Sequence, residues 1–286
     1  MNAEVMPFFD DATSTWSYLV ADPRTRKAAI VDPVLDFDAA SGRTGRASAD
    51  RLLGVIEERA LDVAWILETH AHADHLTAAA YLRDQLGAAV VIGAGITGVQ
   101  QTFARVFNLG AAFATDGSQF DRLVNDGDVL PLGDASIRVL ATPGHTNDSV
   151  SYAVGDAVFI GDTLFAPDVG SARCDFPGGD AGVLYASVHR LYALGDATRL
   201  FLCHDYPPAG RPAQCETTVA AQRAGNLHLR GEMDRAAFVA LRTARDATLA
   251  VPRLILPAIQ VNIRAGRMPP ADDNGVSYLR LPLDML

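Results

Sequence analysis

Thr69-His70-Ala71-His72-Ala73-Asp74-His75 packs three imidazoles and a carboxylate into one short stretch, with small alanines between them that leave room for a tight turn. Imidazole and carboxylate donors suit zinc and iron, and donors packed this densely can serve two adjacent metals. A lone histidine is more often a satisfied structural residue than a ligand. Three histidines and an aspartate in so few positions argue for a metal. Residues 63–67, Val-Ala-Trp-Ile-Leu, read as a buried strand that runs almost directly into Thr69-His70. The same arrangement recurs downstream. Residues 137–141 read as a strand delivering Thr142-Pro143-Gly144-His145, residues 157–160 lead into Gly161-Asp162, and residues 199–203 deliver His204. Taken singly, Gly144-His145 or Gly161-Asp162 reads equally well as a turn. Their weight comes from order and placement, because strand ends along one sheet edge converge polar groups on one point. Five of the seven histidines belong to this set, and only His189 and His228 lie outside it.

The rest of the chain reads as strands interleaved with helices. Residues 18–21 and 28–31 form a hairpin-like pair closed by Asp32-Pro33. Residues 36–47 read as a loop, Ser48 as an N-cap, and residues 49–60 as a helix with Leu52, Leu53, Ile56 and Ala60 on one side. A helix over 76–86 ends at Gly87, followed by a strand over 88–92, whereas 95–117 gives no assignable element. Asp126-Gly127-Asp128 is a turn, and Gly155-Asp156 joins a hairpin of 149–154 with 157–160. Residues 183–194 are helical, 216–245 are helix-rich, and the last forty residues read as proline-rich and irregular. There is no internal repeat and no low-complexity linker. The expected architecture is one α/β domain over 1–286, with a C-terminal extension from about 211.

A net charge of −10 and an isoelectric point near 5.1 disfavour a nucleic-acid binder, since that affinity rests on neutralising phosphates. A locally basic pocket for a small anion remains compatible. Lys27 is the only lysine among the 24 basic residues, and arginine suits carboxylate recognition. Three cysteines, Cys174, Cys203 and Cys215, supply no disulfide framework and fit a reducing compartment. Residues 1–11 lack the pattern of a signal peptide, and no apolar run reaches the length of a membrane span. A cytoplasmic protein is expected. Cys203 sits in an apolar strand and reads as buried; Cys174 reads as a small core-lining residue, reactive only if its pKa is lowered. No serine-nucleophile motif is present.

In order, these motifs resemble the metallo-β-lactamase superfamily: His-x-His-x-Asp-His, then Gly-His, then an Asp after a strand, then a final His. The resemblance implies an αββα sandwich of two mixed sheets flanked by helices, with the site at one edge. By that pattern His70, His72 and His145 would form one metal site, Asp74, His75 and His204 a second, and Asp162 would bridge them. Asp32-Pro33-Val34, Leu76-Thr77 after the cluster, Pro143-Gly144-His145-Thr146, Arg173-Cys174-Asp175-Phe176 and His204-Asp205-Tyr206 look like the persulfide dioxygenase family, over roughly 32–264. Within it the likeness is to a bacterial β-lactamase-like subgroup linked to sulfide detoxification. One segment departs: Ala172-Arg173-Cys174-Asp175-Phe176 stands where the family has Gly-Arg-Thr-Asp-Phe.

That resemblance implies oxidation of glutathione persulfide to sulfite by O2 at one Fe(II) per chain. His70, His145 and Asp162 would hold the iron as a 2-His-1-carboxylate triad, which leaves positions open for reactants. His72, Asp74, His75 and His204 would orient ligands and water around it. Tyr206 would hydrogen-bond near the metal, and Arg173, Asp175, Asn262 and Arg264 would contact the glutathione, although Arg173 could instead pair with Asp175 or Asp180. A homodimer is implied as well.

All seven donors of a two-metal site are nonetheless present. A glyoxalase II-type hydrolase with one or two Zn(II), whose metal-bound hydroxide attacks a glutathione thioester, is therefore the main rival, although that family usually shows His-Glu-Tyr where this chain has His204-Asp205-Tyr206. A β-lactamase would leave the Arg-x-Asp-Phe segment without a role. A nuclease is disfavoured by acidity. A non-catalytic metal-binding or sensory module would be more credible had a donor been lost, and none is missing.

Overall fold

The computed structural model describes residues 3–230 and 233–285. Two six-stranded mixed sheets lie face to face, with helices on both outer sides. The first sheet runs in the order Glu4–Asp10, Thr15–Ala21, Lys27–Val31, Asp62–Leu67, Ala89–Gly93, Arg122–Val124. Its first three strands are antiparallel and its later pairings parallel. The second runs Val129–Leu132, Ala135–Ala141, Val150–Val154, Ala157–Phe159, Arg199–Phe201, Glu216–Thr218, antiparallel except where Ala157–Phe159 and Arg199–Phe201 run side by side.

The central strands of the first sheet read as unbroken apolar runs because both of their faces are covered. Side chains alternate between faces along a strand. In Thr15–Ala21, Tyr18 and Val20 enter the layer between the sheets, while Leu19 and Ala21 face the outer helices. Ile66 and Leu67, and likewise Val90 and Val91, divide in the same way. The inter-sheet layer is completed from the second sheet by Ile137, Val139, Tyr152, Phe159 and Phe201. Helices Ala47–Glu58, Ala79–Leu86, Ile96–Val106 and Ile255–Asn262 cover the outer face of the first sheet. Ala181–Tyr192, Val219–Gly225 and Arg235–Asp246 supply the other helical layer.

Several expectations are corrected. Ser48 is not an N-cap: the helix begins at Ala47, and Ser48 Oγ donates to Asp36 Oδ1 at 2.7 Å while its N–H donates to Asp36 Oδ2 at 3.1 Å. Asp36 thus supplies the acceptor from outside the helix. The loop 36–47 contains a two-residue hairpin, Phe37–Asp38 with Arg43–Thr44. Leu76–Thr77 is not helical but pairs with Val34–Leu35, so the helix starts at Ala79; Gly87 does close it, in the left-handed conformation at φ 69°. Residues 95–117 hold the helix Ile96–Val106. The last forty residues, expected to be irregular, hold Ile255–Asn262, whose Pro257 lies in the first turn where a missing N–H costs nothing. No helix among the described residues is long and apolar enough to cross a membrane.

Candidate metal centre

All the strand-end donors arrive at one edge of the two sheets. Val31 and Leu67 are parallel neighbours, so Asp32 and the segment Glu68-Thr69-His70 leave the first sheet side by side. Val150 N–H donates to Thr69 O at 2.9 Å and Tyr152 OH donates to Glu68 O at 2.9 Å, which ties this exit to the second sheet. The exits at His145 and Asp162 need glycine for a steric reason. A Cβ on Gly144 (φ 131°) would come within 2.3 Å of the Leu184 backbone, and one on Gly161 (φ 50°) within 2.7 Å of Thr69 Oγ1.

The seven expected donors divide between two close sets, and Cys203 comes equally near His72 with Asp32 and Asp162 with His204. One nitrogen or oxygen from each of His70, His145 and Asp162 lies within 4.8 Å of the others, and the same holds for His72, Asp74, His75 and His204. Asp162 Oδ2 is 3.6 Å from His145 Nε2 and 3.9 Å from His70 Nε2, while its Oδ1 is 3.5 Å from His204 Nε2, so the groups adjoin there. His72 therefore sits with the second group, a different division from His70, His72 and His145 as one site.

Second partners fix the rings. His145 Nδ1 donates to the Arg173 carbonyl at 2.7 Å, which turns Nε2 toward Asp162. His72 Nε2 is 3.0 Å from Asp32 Oδ1, which leaves Nδ1 inward. His75 Nδ1 lies 3.2 Å from Asp74 Oδ1. His204 Nε2 is within 3.0 Å of Asp74 Oδ2 without the alignment of a hydrogen bond. Tyr206 stacks on His204 with ring centroids 5.9 Å apart, and its OH donates to Asp74 Oδ2 at 3.5 Å.

Burial, reinforced by the neighbouring imidazoles, holds the pKa of His70 and of His72 well below the usual value. Both therefore offer neutral nitrogens to a metal. Burial opposes charge on His204, yet Asp74 and Asp162 outweigh it and raise its pKa. Burial likewise disfavours the charged form of Asp74, but His204 and His75 prevail and pull it well down.

The buried atoms with no hydrogen-bond partner include His72 Nδ1, His75 Nε2, His204 Nε2 and Asp162 Oδ1. Orphaned buried donors and acceptors are costly and call for an explanation. Here they belong to one cluster of nitrogen and oxygen donors, and that set fits zinc or iron.

A cleft of about 430 Å³ opens onto the cluster through Asp74, His145 and Asp162. Phe165, Phe176 and Tyr206 form apolar walls, and Arg173, Arg245 and Arg253 are also in its lining. Of the substrate candidates, Arg173 therefore reaches the cleft, but its guanidinium is held by Asp175 in a bidentate pair at 2.6 and 2.7 Å and by the Ala250 carbonyl at 2.6 Å. Asp175 is consumed in that pair. Asn262 is a buried brace beneath the cluster: its Nδ2 donates to the His72 and His75 carbonyls, both at 2.8 Å, and its Oδ1 accepts from Thr77 N–H at 2.9 Å. Arg264 lines a different cavity altogether.

Sequence reading missed other contributors. Asp32 accepts from Thr69 N–H at 2.7 Å and Thr69 Oγ1 at 2.9 Å besides meeting His72, and it does so from a backbone at φ 46°, unusual for a residue with a side chain. The signal was its place beside Pro33 at a strand end. Asp148 accepts from Ala71 N–H at 2.8 Å. Arg245 and Arg253 form no ion pair among the described residues, and nothing in their local sequence marked them. Cys203 is buried as expected. Cys174 is buried too, and burial pushes its pKa up to about 12, which opposes a reactive thiolate.

A family profile described as metallo-beta-lactamase superfamily matches residues 10–204. A probable metallo-hydrolase of Burkholderia pseudomallei is 52% identical over 98% of this chain and 98% of its own length. Glyoxylase B2 of Dictyostelium discoideum is 47% identical over 99% and 97%. The human mitochondrial persulfide dioxygenase ETHE1 is 29% identical over 92% and 88%. Among solved structures, ETHE1 from Myxococcus xanthus superposes with a TM-score of 0.74 at 34% identity, covering 92% of this chain and all of that one.

Proposed function

From the premise that this chain belongs to the metallo-beta-lactamase superfamily, we propose that it is a persulfide dioxygenase, oxidising glutathione persulfide to sulfite with O2 at a single Fe(II). The observation that carries the reading is the grouping of His70, His145 and Asp162 as two imidazoles and a carboxylate, two of them lining the cleft. Asp74, by contrast, is already engaged by His75, His204 and Tyr206. The likeness to two persulfide dioxygenase-family proteins over most of the chain supports the same conclusion. Iron held by His70, His145 and Asp162 would supply the redox chemistry with O2 and an affinity for a soft sulfur anion.

The residues then divide the work. The Arg173 carbonyl and Asp32 fix the tautomers of His145 and His72. Tyr206 and His204 present polar groups beside the triad, where they can orient substrate or a proton. Phe165 and Phe176 exclude water. Arg245 and Arg253 supply positive charge for the glutathione carboxylates, while Arg173, held by Asp175, forms part of the wall. On this reading residues from about 211 extend the same domain, since Asn262 completes the cluster. A homodimer in a reducing cytoplasm is part of the proposal.

A second reading has its own support. His72 Nδ1 and His75 Nε2 are unpartnered, which suits a second metal, and two relatives are named as a metallo-hydrolase and a glyoxylase. In that case the chain would be a zinc-dependent glutathione thioester hydrolase. O2 uptake with glutathione persulfide, on protein loaded anaerobically with Fe(II) or with Zn(II), separates them. Iron-dependent uptake yielding sulfite supports the dioxygenase. Thioester hydrolysis with zinc and no uptake with iron overturns it.

A further inference from the structure

A second cavity, of about 400 Å³, lies where the C-terminal tail crosses the loop that follows helix Ile96–Val106; Phe113, Gln260, Arg264, Asp272, Tyr278 and Arg280 are among the residues lining it. It shares no lining residue with the metal cleft. The Arg264 guanidinium lies over the Phe113 ring, 4.5 Å from its centroid. Its Nε is buried without a hydrogen-bond partner, and among the described residues it makes no ion pair. A buried guanidinium N–H left unsatisfied is costly and uncommon.

The second guanidinium is held in place by the body of the protein. Arg280 Nη1 donates to the Phe107 carbonyl at 3.0 Å and also to Asn108. Gln260 clamps the Arg280 backbone, accepting from its N–H at 2.8 Å and donating to its carbonyl at 2.9 Å. Asp272 is the one acid in the lining, so two positive charges face a single negative one. Burial and the nearby Arg280 charge both push the Arg264 pKa down, the mark of a cation short of counter-charge.

We propose that this cavity is an anion-binding site separate from the metal centre, taking a small organic phosphate or carboxylate. Its charged head would meet Arg264 and Arg280, whose planar forks match oxyanions. Its apolar part would lie against Phe113. The site does not depend on which reaction the metal centre performs.

Calorimetric titration of the full-length, metal-loaded protein with phenyl phosphate, and separately with benzoate, tests this and distinguishes the two head groups. Saturable binding is expected for at least one probe. It should weaken about ten- to a hundredfold in Arg264→Gln, weaken less in Arg264→Lys, which keeps the charge but loses the fork, and stay unchanged in Arg253→Gln at the metal cleft. Unaltered melting temperatures keep the variants comparable, and Arg264→Lys serves if Arg264→Gln is unstable. No saturable binding overturns the proposal, as does affinity that falls with Arg253→Gln but not with either Arg264 variant.

Discussion

The two donor groups at the sheet edge use the same residue types, yet they are wired differently. His70 and His145 have their far sides fixed by Thr69 and the Arg173 carbonyl and turn their near sides to Asp162, which lines the cleft together with His145. In the other group, Asp74 meets His75, His204 and Tyr206, so its carboxylate is already spent on neighbours. In the second group His72 Nδ1, His75 Nε2 and His204 Nε2 nevertheless lack a hydrogen-bond partner, against Asp162 Oδ1 alone in the first. A count of ligands cannot distinguish them. What separates them is which lone pairs remain unspent.

The sharpest way to break this comparison is to remove one donor from each group. His70→Ala should lower persulfide-dependent O2 uptake by about a thousandfold or more and abolish iron retention, as read by oxygen electrode and metal analysis. Asp74→Asn should keep one iron per chain and lose only about ten- to a hundredfold in activity, the usual effect of a group that orients ligands. If Asp74→Asn instead empties the site as completely as His70→Ala, the groups are equivalent and the two-metal reading gains. Asn262→Ala leaves three buried backbone groups without their partner and should cost about 3 kcal/mol in denaturant unfolding, while loosening the turn that carries His72 and His75.

Arg253→Gln sharpens the contrast between chemistry and binding. KM for glutathione persulfide should rise about tenfold with kcat nearly unchanged, the pattern of uniform binding lost; a fall in kcat alone would remove Arg253 from the substrate role. The smallest expected effect concerns His228, which lines the same cleft. Burial, then Arg242 and Arg245, lower its pKa to about 4. The folded state thus favours the neutral ring, so its stabilisation is present above the ordinary histidine value near 6.5 and fades as pH falls toward 4. The melting temperature should drop across that window by an amount worth about 1 kcal/mol after allowance for solvent screening. His228→Gln should flatten the drop; an unchanged profile would assign the pH dependence elsewhere.

What the sequence made legible was local. His70, His145, Asp162 and His204 each follow a strand within a few residues, and the strands before Asp162 and His204 are short apolar runs that are almost wholly buried. The cluster and the alternation of strands and helices could therefore be read from pattern, whereas the sandwich followed from the resemblance those motifs carry. The supports could not. Asp32 reaches Thr69 across 37 positions, Asp148 reaches Ala71 across 77, and Asn262 reaches Thr77 across 185. None of these pairings leaves a trace in periodicity. Ile96–Val106 was obscured by Gly98 and β-branched residues of modest helix propensity, and Ile255–Asn262 by its proline. Arg264 shows the opposite failure: a motif two residues past a true brace drew attention to a side chain that faces another cavity.

The Asn262 brace has a further consequence for biosynthesis. The His72 carbonyl leaves the ribosome 190 residues before the amide that satisfies it. A nascent chain can thus carry every histidine of the early cluster and still lack the clamp on its turn. Until Asn262 emerges, the His72 and His75 carbonyls and the Thr77 N–H are without the partner that holds them in the folded protein.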